Sequence, residues 1–378
     1  MIPVAKTSLL AAAVLSCSAA VACTSFTIHR TGSETGRMLV HKCRDSTMGR
    51  LDAEMMTVGN RRWMRIGSGG GAMFAMNDRG VAVTVNTGNK LAGDAIPKKA
   101  STHSVPLFAE IMEKCATAES GVKLIERHFR NPAGIYMIAD AKRAFLVESG
   151  AGYGEHKELT GGIFVIANEM HLPGIEEFNT STAHGMGRQR AREANTRAAL
   201  RRTRDKNGKY TRRGMFATSR IRCGKAIKAQ NVFRPVSSKT GVGSLSAVCF
   251  EPDPEFPEHL STAYVALGPQ RHTAYLPCPM ALRQFPEAMR NGKWAALSVT
   301  IRKNQGEENP LLPQIVELED RLLAEYDRTR EEARQLLREG KTAEAEKLLN
   351  DLFDRHFRQA EALLTELSVA PAASEIGK

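Results

Sequence analysis

Cysteine is scarce in this 378-residue sequence: seven in all, too few for a disulfide scaffold, and spaced as neither a C-x-x-C pair nor a Cys/His zinc ligand set. After residue 22 no stretch reaches the roughly 18 consecutive apolar residues that a membrane-spanning helix needs. The run Gly67-Ser68-Gly69-Gly70-Gly71 has no Gly-Lys-Ser/Thr behind it, which excludes a phosphate loop of that type. Ten histidines form no H-E-x-x-H and no i,i+4 pair on a helix, so neither a metal site nor a cofactor is expected. The serine-hydrolase elbow G-x-S-x-G is missing too.

What is present fits a folded protein with a real core: 42% of residues are apolar and 25% charged. Lys+Arg 53 against Asp+Glu 41 gives a net charge of +12. Most of that excess sits in one segment. Arg188, Arg190, Arg192, Arg197, Arg201, Arg202, Arg204, Lys206, Lys209, Arg212 and Arg213 stand against only Glu193 and Asp205, so eleven minus two, or +9, falls in this stretch. Such a run reads either as a patch for RNA or anionic lipid, or as a solvated helix or surface insertion. Tyr210 is its only aromatic ring, which leaves no stacking platform, and no nucleic-acid partner is expected.

The N-terminus has the layout of an export signal: Lys6, an apolar stretch from Leu9 to Leu15, and the A-x-A site Ala20-Val21-Ala22. Cleavage after Ala22 would place the protein in the periplasm or outside the cell, with Cys23 as its first residue. A thiol on residue one carries its own base, because a free α-amine titrates at about 7.7–8.0. Two other readings stay open here. Cys17 follows a weak lipobox, Val14-Leu15-Ser16, and would make the chain a lipoprotein; Cys23 itself could be lipidated or be an ordinary cysteine.

From Thr24 to about Pro277 the pattern is that of antiparallel hairpins with intervening helices, hence α+β rather than a doubly wound parallel sheet. Strands are predicted at Phe26–Ile28, Gly36–Lys42, Met73–Met76 with Val81–Val85, Ile135–Ile138 with Phe145–Val147, Gly162–Asn168, Leu245–Phe250, Ala263–Leu267 and His272–Leu276. Helices are predicted at Pro106–Ala116 and Ser120–Phe129. Further on, Ile315, Leu318, Leu322, Tyr326, Ala333 and Leu337 mark an amphipathic helix. After a break at Gly340-Lys341-Thr342, Leu348, Leu349, Leu352, Phe353, Phe357, Ala360 and Leu364 mark a second. This helical hairpin either packs on the main domain or joins two copies. The expected layout is a signal at 1–22, a catalytic unit at 23–300 with a basic insertion at 185–215, the hairpin at 308–368 and a loose tail at 369–378.

Cys23-Thr24-Ser25-Phe26, followed by His41-Lys42-Cys43-Arg44-Asp45-Ser46, resembles the cysteine N-terminal-nucleophile hydrolases. Within them it is most similar to secreted cysteine dipeptidases and isopenicillin-N acyltransferase-like proteins, and more distantly to the bile-salt hydrolase and penicillin V acylase group. Met76-Asn77-Asp78-Arg79-Gly80-Val81-Ala82-Val83 with Asn86, Ile138–Lys142 with Leu146–Glu148, Ala167-Asn168, Ser219-Arg220 and Val265–Pro269 with Tyr275–Pro277 resemble further family motifs in the same order.

The resemblance implies a four-layer αββα sandwich and an amidohydrolase that passes through an acyl-enzyme. It implies Cys23 as nucleophile, Asp45 to hold its amine, Asn86 and Asn168 as oxyanion donors, and Arg220 as a buried arginine of the site or a clamp for a substrate carboxylate. Lys42 stands where the family has arginine, with Arg44 beside the aspartate, and a lysine offers no planar fork. Asn168 is followed by Glu169 where acyltransferase-like members have histidine. The basic insertion is atypical and is expected to act as a substrate-access loop. The expected substrate is a small amide, either a dipeptide or an N-acyl amino acid. The rivals are an acyltransferase on the same fold and, from another class, a non-catalytic lipid-anchored binding protein.

Overall fold

The structure is a computed structural model, and it describes residues 23–47, 51–68, 71–88, 104–127, 134–150, 152–175, 183–222, 232–235 and 242–371. The expected export signal, Cys17, Cys223 and the end of the tail lie outside the described residues.

β1 (Thr24–Ile28) starts directly after Cys23 and pairs with β2 (Leu39–Thr47), Thr24 opposite Cys43 and Phe26 opposite His41. β3 (Leu51–Val58), β4 (Arg61–Ser68), β5 (Gly71–Asn77) and β6 (Ala82–Thr87) then run as a meander. α1 (Ser104–Lys114) and α2 (Ala118–Glu126) lead into β7 (Gly134–Ala139), β8 (Ala144–Gly150), β9 (Tyr153–Glu158) and β10 (Ile163–Ile166). α3 (Ala183–Arg202) and α4 (Arg212–Ser219) precede β11 (Val242–Glu251), α5 (Pro257–Leu260), β12 (Thr262–Leu267) and β13 (Leu276–Pro279). The chain closes with α6 (Glu287–Arg290), α7 (Lys293–Gln305), α8 (Leu312–Arg338) and α9 (Thr342–Val369).

The strands form two sheets, one ordered β10-β1-β2-β11-β12-β13 and the other β3 through β9 in sequence, with antiparallel pairing throughout. Period-2 alternation then decides what each residue of β1 meets. Phe26 and Ile28 face the helices, where they pack with Leu200, Met215 and Phe216. Ser25 and Thr27 face the opposite sheet, where Ser25 Oγ donates to Asn86 Oδ1 and Thr27 Oγ1 reaches Met137 Sδ. β2 alternates likewise: Leu39 and Cys43 belong to the helix side and Val40 to the space between the sheets.

Three apolar clusters give the layers. One lies between the sheets and includes Val40, Phe74, Met137, Leu146 and Val265. A second joins Val83, Ile138 and Phe145 to Phe108, Ile111 and Val122 of α1 and α2. The third joins Phe26, Cys249 and Tyr264 to Phe216, Tyr326, Leu349 and Leu352. Read across the molecule this is α, β, β, α, the sandwich expected from the sequence resemblance. Each fully buried leucine of the C-terminal stripe contributes about 1.5–3 kcal/mol to holding the hairpin on the sheets. Gly340, at φ +75°, sits in the break between α8 and α9 where only glycine turns without strain.

Some elements depart from the expectation. β3, β4 and β9 complete the seven-stranded sheet where no strand was predicted; β9 is an exposed edge strand, so no buried face imposes alternation on it. The predicted strand His272–Leu276 begins only at Leu276, and His272 instead turns its ring to the carbonyl of Gly306. The basic segment is largely the helix α3, with a short turn before α4, and one of its arginines, Arg192, is 1% exposed. Among the described residues the five cysteines Cys23, Cys43, Cys115, Cys249 and Cys278 are free.

Candidate active site

Cys23 is buried at the point where β1 begins, beside the end of β10. Its main-chain nitrogen donates to Asn168 Oδ1 at 2.8 Å. Lys42, on β2, is fully buried beside the Cys23 thiol, which favours its protonated form. Its Nζ donates to Asn86 Oδ1 at 2.6 Å and to the carbonyl of Val85. Burial pushes the Lys42 ammonium below its ordinary range, while the neighbouring Cys23 and Asp45 oppose that fall. The result is a buried lysine beside the thiol that precedes β1.

Asn86 is delivered by a hairpin whose chemistry is written in the sequence. Asn77 Oδ1 accepts from the main-chain nitrogens of Arg79 and Val81, at 3.1 and 3.0 Å, and its Nδ2 donates to the carbonyls of Met112 and Cys115. Gly80 takes φ +74° to close the turn. Six residues later Asn86 bridges the two sheets. Its Oδ1 accepts from Ser25 and Lys42, and its Nδ2 donates to the carbonyls of Ala167 and Ile166, at 2.5 and 3.4 Å. The short bond to Ala167 engages one amide proton, and the longer contact to Ile166 turns the carboxamide toward β10. Asn168 Nδ2 spends one of its two protons on the carbonyl of Thr87, at 2.7 Å.

Asp45 is buried, and its place differs from the expected one. Its carboxylate accepts from Ser244 Oγ and lies 3.7 Å from Arg192 Nη1, while Asn168 takes the Cys23 nitrogen. Asp45 shares the helix-facing side of β2 with Cys43, and a bulge in β11 between Ser244 and Ser246 brings Ser244 opposite it. Burial pushes its carboxyl up to about 6 against the opposing charge of Arg192. Arg44 is half-buried; burial lowers it, and it feels the charges of Cys23 and Asp52.

Arg220 goes elsewhere. Its guanidinium forms a fork with the Glu319 carboxylate, at 2.8 and 2.6 Å, and donates to the carbonyls of Gln270 and Thr273. Its place among α8 and Tyr275 follows from the helix-facing side of the sheet, the side opposite Lys42. Four contributors carry no local signal for this site in the sequence: Ser244, Arg234, Arg192 and Glu193. Glu193 Oε1 accepts from the main-chain nitrogen of Ala167 at 2.8 Å.

No protein-family model matches this chain, and no curated protein does. Solved structures do resemble it. An N-acylethanolamine-hydrolyzing acid amidase ortholog from Caenorhabditis elegans is 13% identical over 62% of this chain and 95% of its own, with a TM-score of 0.41. A variant of conjugated bile acid hydrolase from Clostridium perfringens is 9% identical over 65% and 89%, with a TM-score of 0.43. Penicillin V acylase from Agrobacterium tumefaciens is 14% identical over 65% and 84%, with a TM-score of 0.37.

Chemically, the site is a buried thiol with a buried lysine beside it and a carboxamide oxygen on its main-chain nitrogen. Among the described residues no three His, Cys, Asp or Glu side chains are grouped to hold a metal ion, and no helix is long and apolar enough to cross a membrane.

Proposed function

We propose that this protein is an exported amidohydrolase that uses Cys23 as an N-terminal nucleophile on linear amides of the dipeptide or N-acyl amino acid type. The observation that carries the reading is the contact of Asn168 Oδ1 on the Cys23 nitrogen, with the buried Lys42 beside the thiol. Cleavage after Ala22 turns that nitrogen into an α-amine, which Asn168 holds beside the sulfur.

The amine takes the thiol proton, and the sulfur attacks the amide carbonyl, forming a C–S bond as the carbonyl π electrons move to oxygen. The second amide proton of Asn168 is suited to that oxyanion. Collapse breaks the C–N bond, and the leaving amine takes its proton from the Cys23 ammonium. Water, deprotonated by the same amine, then attacks the thioester; the C–S bond breaks and the thiol is restored. The products are a carboxylic acid and an amine.

Two measurements test this together: N-terminal sequencing of the mature protein, and hydrolysis of a panel of dipeptides and N-acyl amino acids by the wild type and by Cys23→Ser. A free Cys23 with amide cleavage that Cys23→Ser reduces at least about 10³-fold is expected. A mature chain that begins elsewhere, or a Cys23→Ser enzyme with full activity, ends the proposal.

A further inference from the structure

In the six-stranded sheet, β1 has β10 on one side and β2 on the other. Two consecutive residues of α3 reach those two flanks. Arg192 lies 3.7 Å from Asp45 on β2, both side chains almost wholly buried. Glu193 accepts from the main-chain nitrogen of Ala167, one residue before Asn168, and its Oε1 stands 3.0 Å from His171 Nε2. Arg197, one turn on, lies 3.5 Å from Glu193 Oε2 and donates to the carbonyl of Val165 on β10 at 2.8 Å. Neighbouring residues on a helix point about 100° apart, so one turn of α3 touches two strands that are not adjacent to each other. The strand between them is the one that begins at Cys23.

Burying two opposite charges side by side on an otherwise cationic helix costs several kcal/mol of desolvation unless each finds a fixed partner. Here each partner belongs to the site. We propose that Arg192 and Glu193 are positioning residues that fix the two flanks of β1 and so hold Cys23 between Asn168 and Lys42. The activity readout rests on the amidohydrolase reading; the thiol readout does not.

Arg192 acts through a short chain of charges. Asp45 is faced by Arg192 from α3, Ser244 from β11, Arg234 from the 232–235 segment and Lys42 from its own strand, with the Cys43 thiol nearby. An ionised Asp45 favours the cationic form of Lys42, which stands beside the Cys23 thiol. Removing Arg192 makes Asp45 harder to ionise.

The experiment follows two quantities from pH 5 to 9: the rate at which iodoacetamide alkylates Cys23, read on its peptide by mass spectrometry, and kcat/KM on a cleaved amide. In Arg192→Met the acidic limb of both profiles is expected to move up by about 1–3 pH units, and Arg192→Lys to restore most of that shift. Glu193→Ala is expected to lower kcat more than it raises KM, and Glu193→Gln, which keeps an acceptor for Ala167, to recover activity. A loss equal at every pH in both Arg192 variants would leave those residues only a packing role and overturn the proposal. If Arg192→Met does not fold, the Glu193 variants decide alone, and a Gln variant no better than Ala overturns it. A moved alkylation limb in a protein that cleaves no amide would sink the amidohydrolase reading and leave the positioning role standing.

Discussion

The main-chain nitrogen of Cys23 stands 2.8 Å from Oδ1 of Asn168, where β1 begins and β10 has just ended. One carboxamide thus ties the candidate nucleophile to the neighbouring strand, and through the carbonyl of Thr87 to the opposite sheet. Asn168→Ala removes both ties. Losing a hydrogen bond to a group that becomes charged costs about 1.5–3 kcal/mol, so kcat/KM should fall roughly 10- to 150-fold. Asn168→Asp should act differently. A carboxylate beside the amine favours its protonated form, so the pH at which activity appears should rise. Steady-state kinetics across pH check both, and an Asn168→Ala enzyme with wild-type kcat/KM would contradict the assignment.

Arg220 and Glu319 join the sandwich to α8. Both are almost wholly buried, and the pair is bidentate. Glu319 also accepts from the main-chain nitrogen of Tyr275, whose hydroxyl bonds Ser219 and lies 3.0 Å from His41 Nε2. Burial, with Arg220 nearby, drives His41 down to about 3, so its ring is neutral at physiological pH and serves packing against Phe26. Glu319→Gln leaves a buried guanidinium short of its partner, and a loss of about 3–5 kcal/mol in unfolding free energy is expected. The pH profile of Cys23 alkylation should stay in place at temperatures where the variant is folded. Urea titration and alkylation kinetics separate the two effects; a displaced profile with unchanged stability would return Arg220 to the active site.

The contrast between Arg220 and Arg192 shows how far the residue pattern reaches. The hairpins were legible because their strands carry apolar residues at strand spacing: Phe26 with Ile28 toward the helices, Phe74 with Met76 between the sheets, and Val83 with Val85 toward α1 and α2. Asn77 and Gly80 announced the turn that places Asn86. The stripe from Ile315 to Leu364 announced the terminal helices for the same reason, and all but Leu348 of its named residues are buried. Arg192 was not legible. It is one of eleven cations in 26 residues by sequence, and nothing local sets it apart. Its inward face carries Glu193, Thr196, Ala199 and Leu200, a helical spacing made mostly of polar or small residues, so the usual apolar signal is faint. Which buried arginine meets Asp45 is decided by how α3 crosses the sheet, and that is a tertiary fact.

Glu251 closes the far end of β11 with a cluster of charges that should make the fold acid-sensitive. Its carboxylate meets Arg330 at 2.7 Å and Arg37 at 3.1 Å, lies 3.7 Å from Arg212, and accepts from the Tyr264 hydroxyl at 2.8 Å. Burial alone would raise its pKa, but Arg330, Arg212 and Arg37 outweigh it and hold the carboxyl at about 2. The folded value therefore lies below the unfolded one, near 4.3–4.5. Such a group stabilises the fold fully above pH ~4.5 and loses that contribution as pH falls toward 2, because protonation then favours the unfolded chain. The difference is worth roughly 3 kcal/mol. Urea midpoints at pH 7 and pH 3 should differ in the wild type, and Glu251→Gln should start several kcal/mol lower at pH 7 while losing less between the two pH values. Equal pH dependence in the two proteins would mean that Glu251 is not the group whose protonation loosens the contact between β11 and α8.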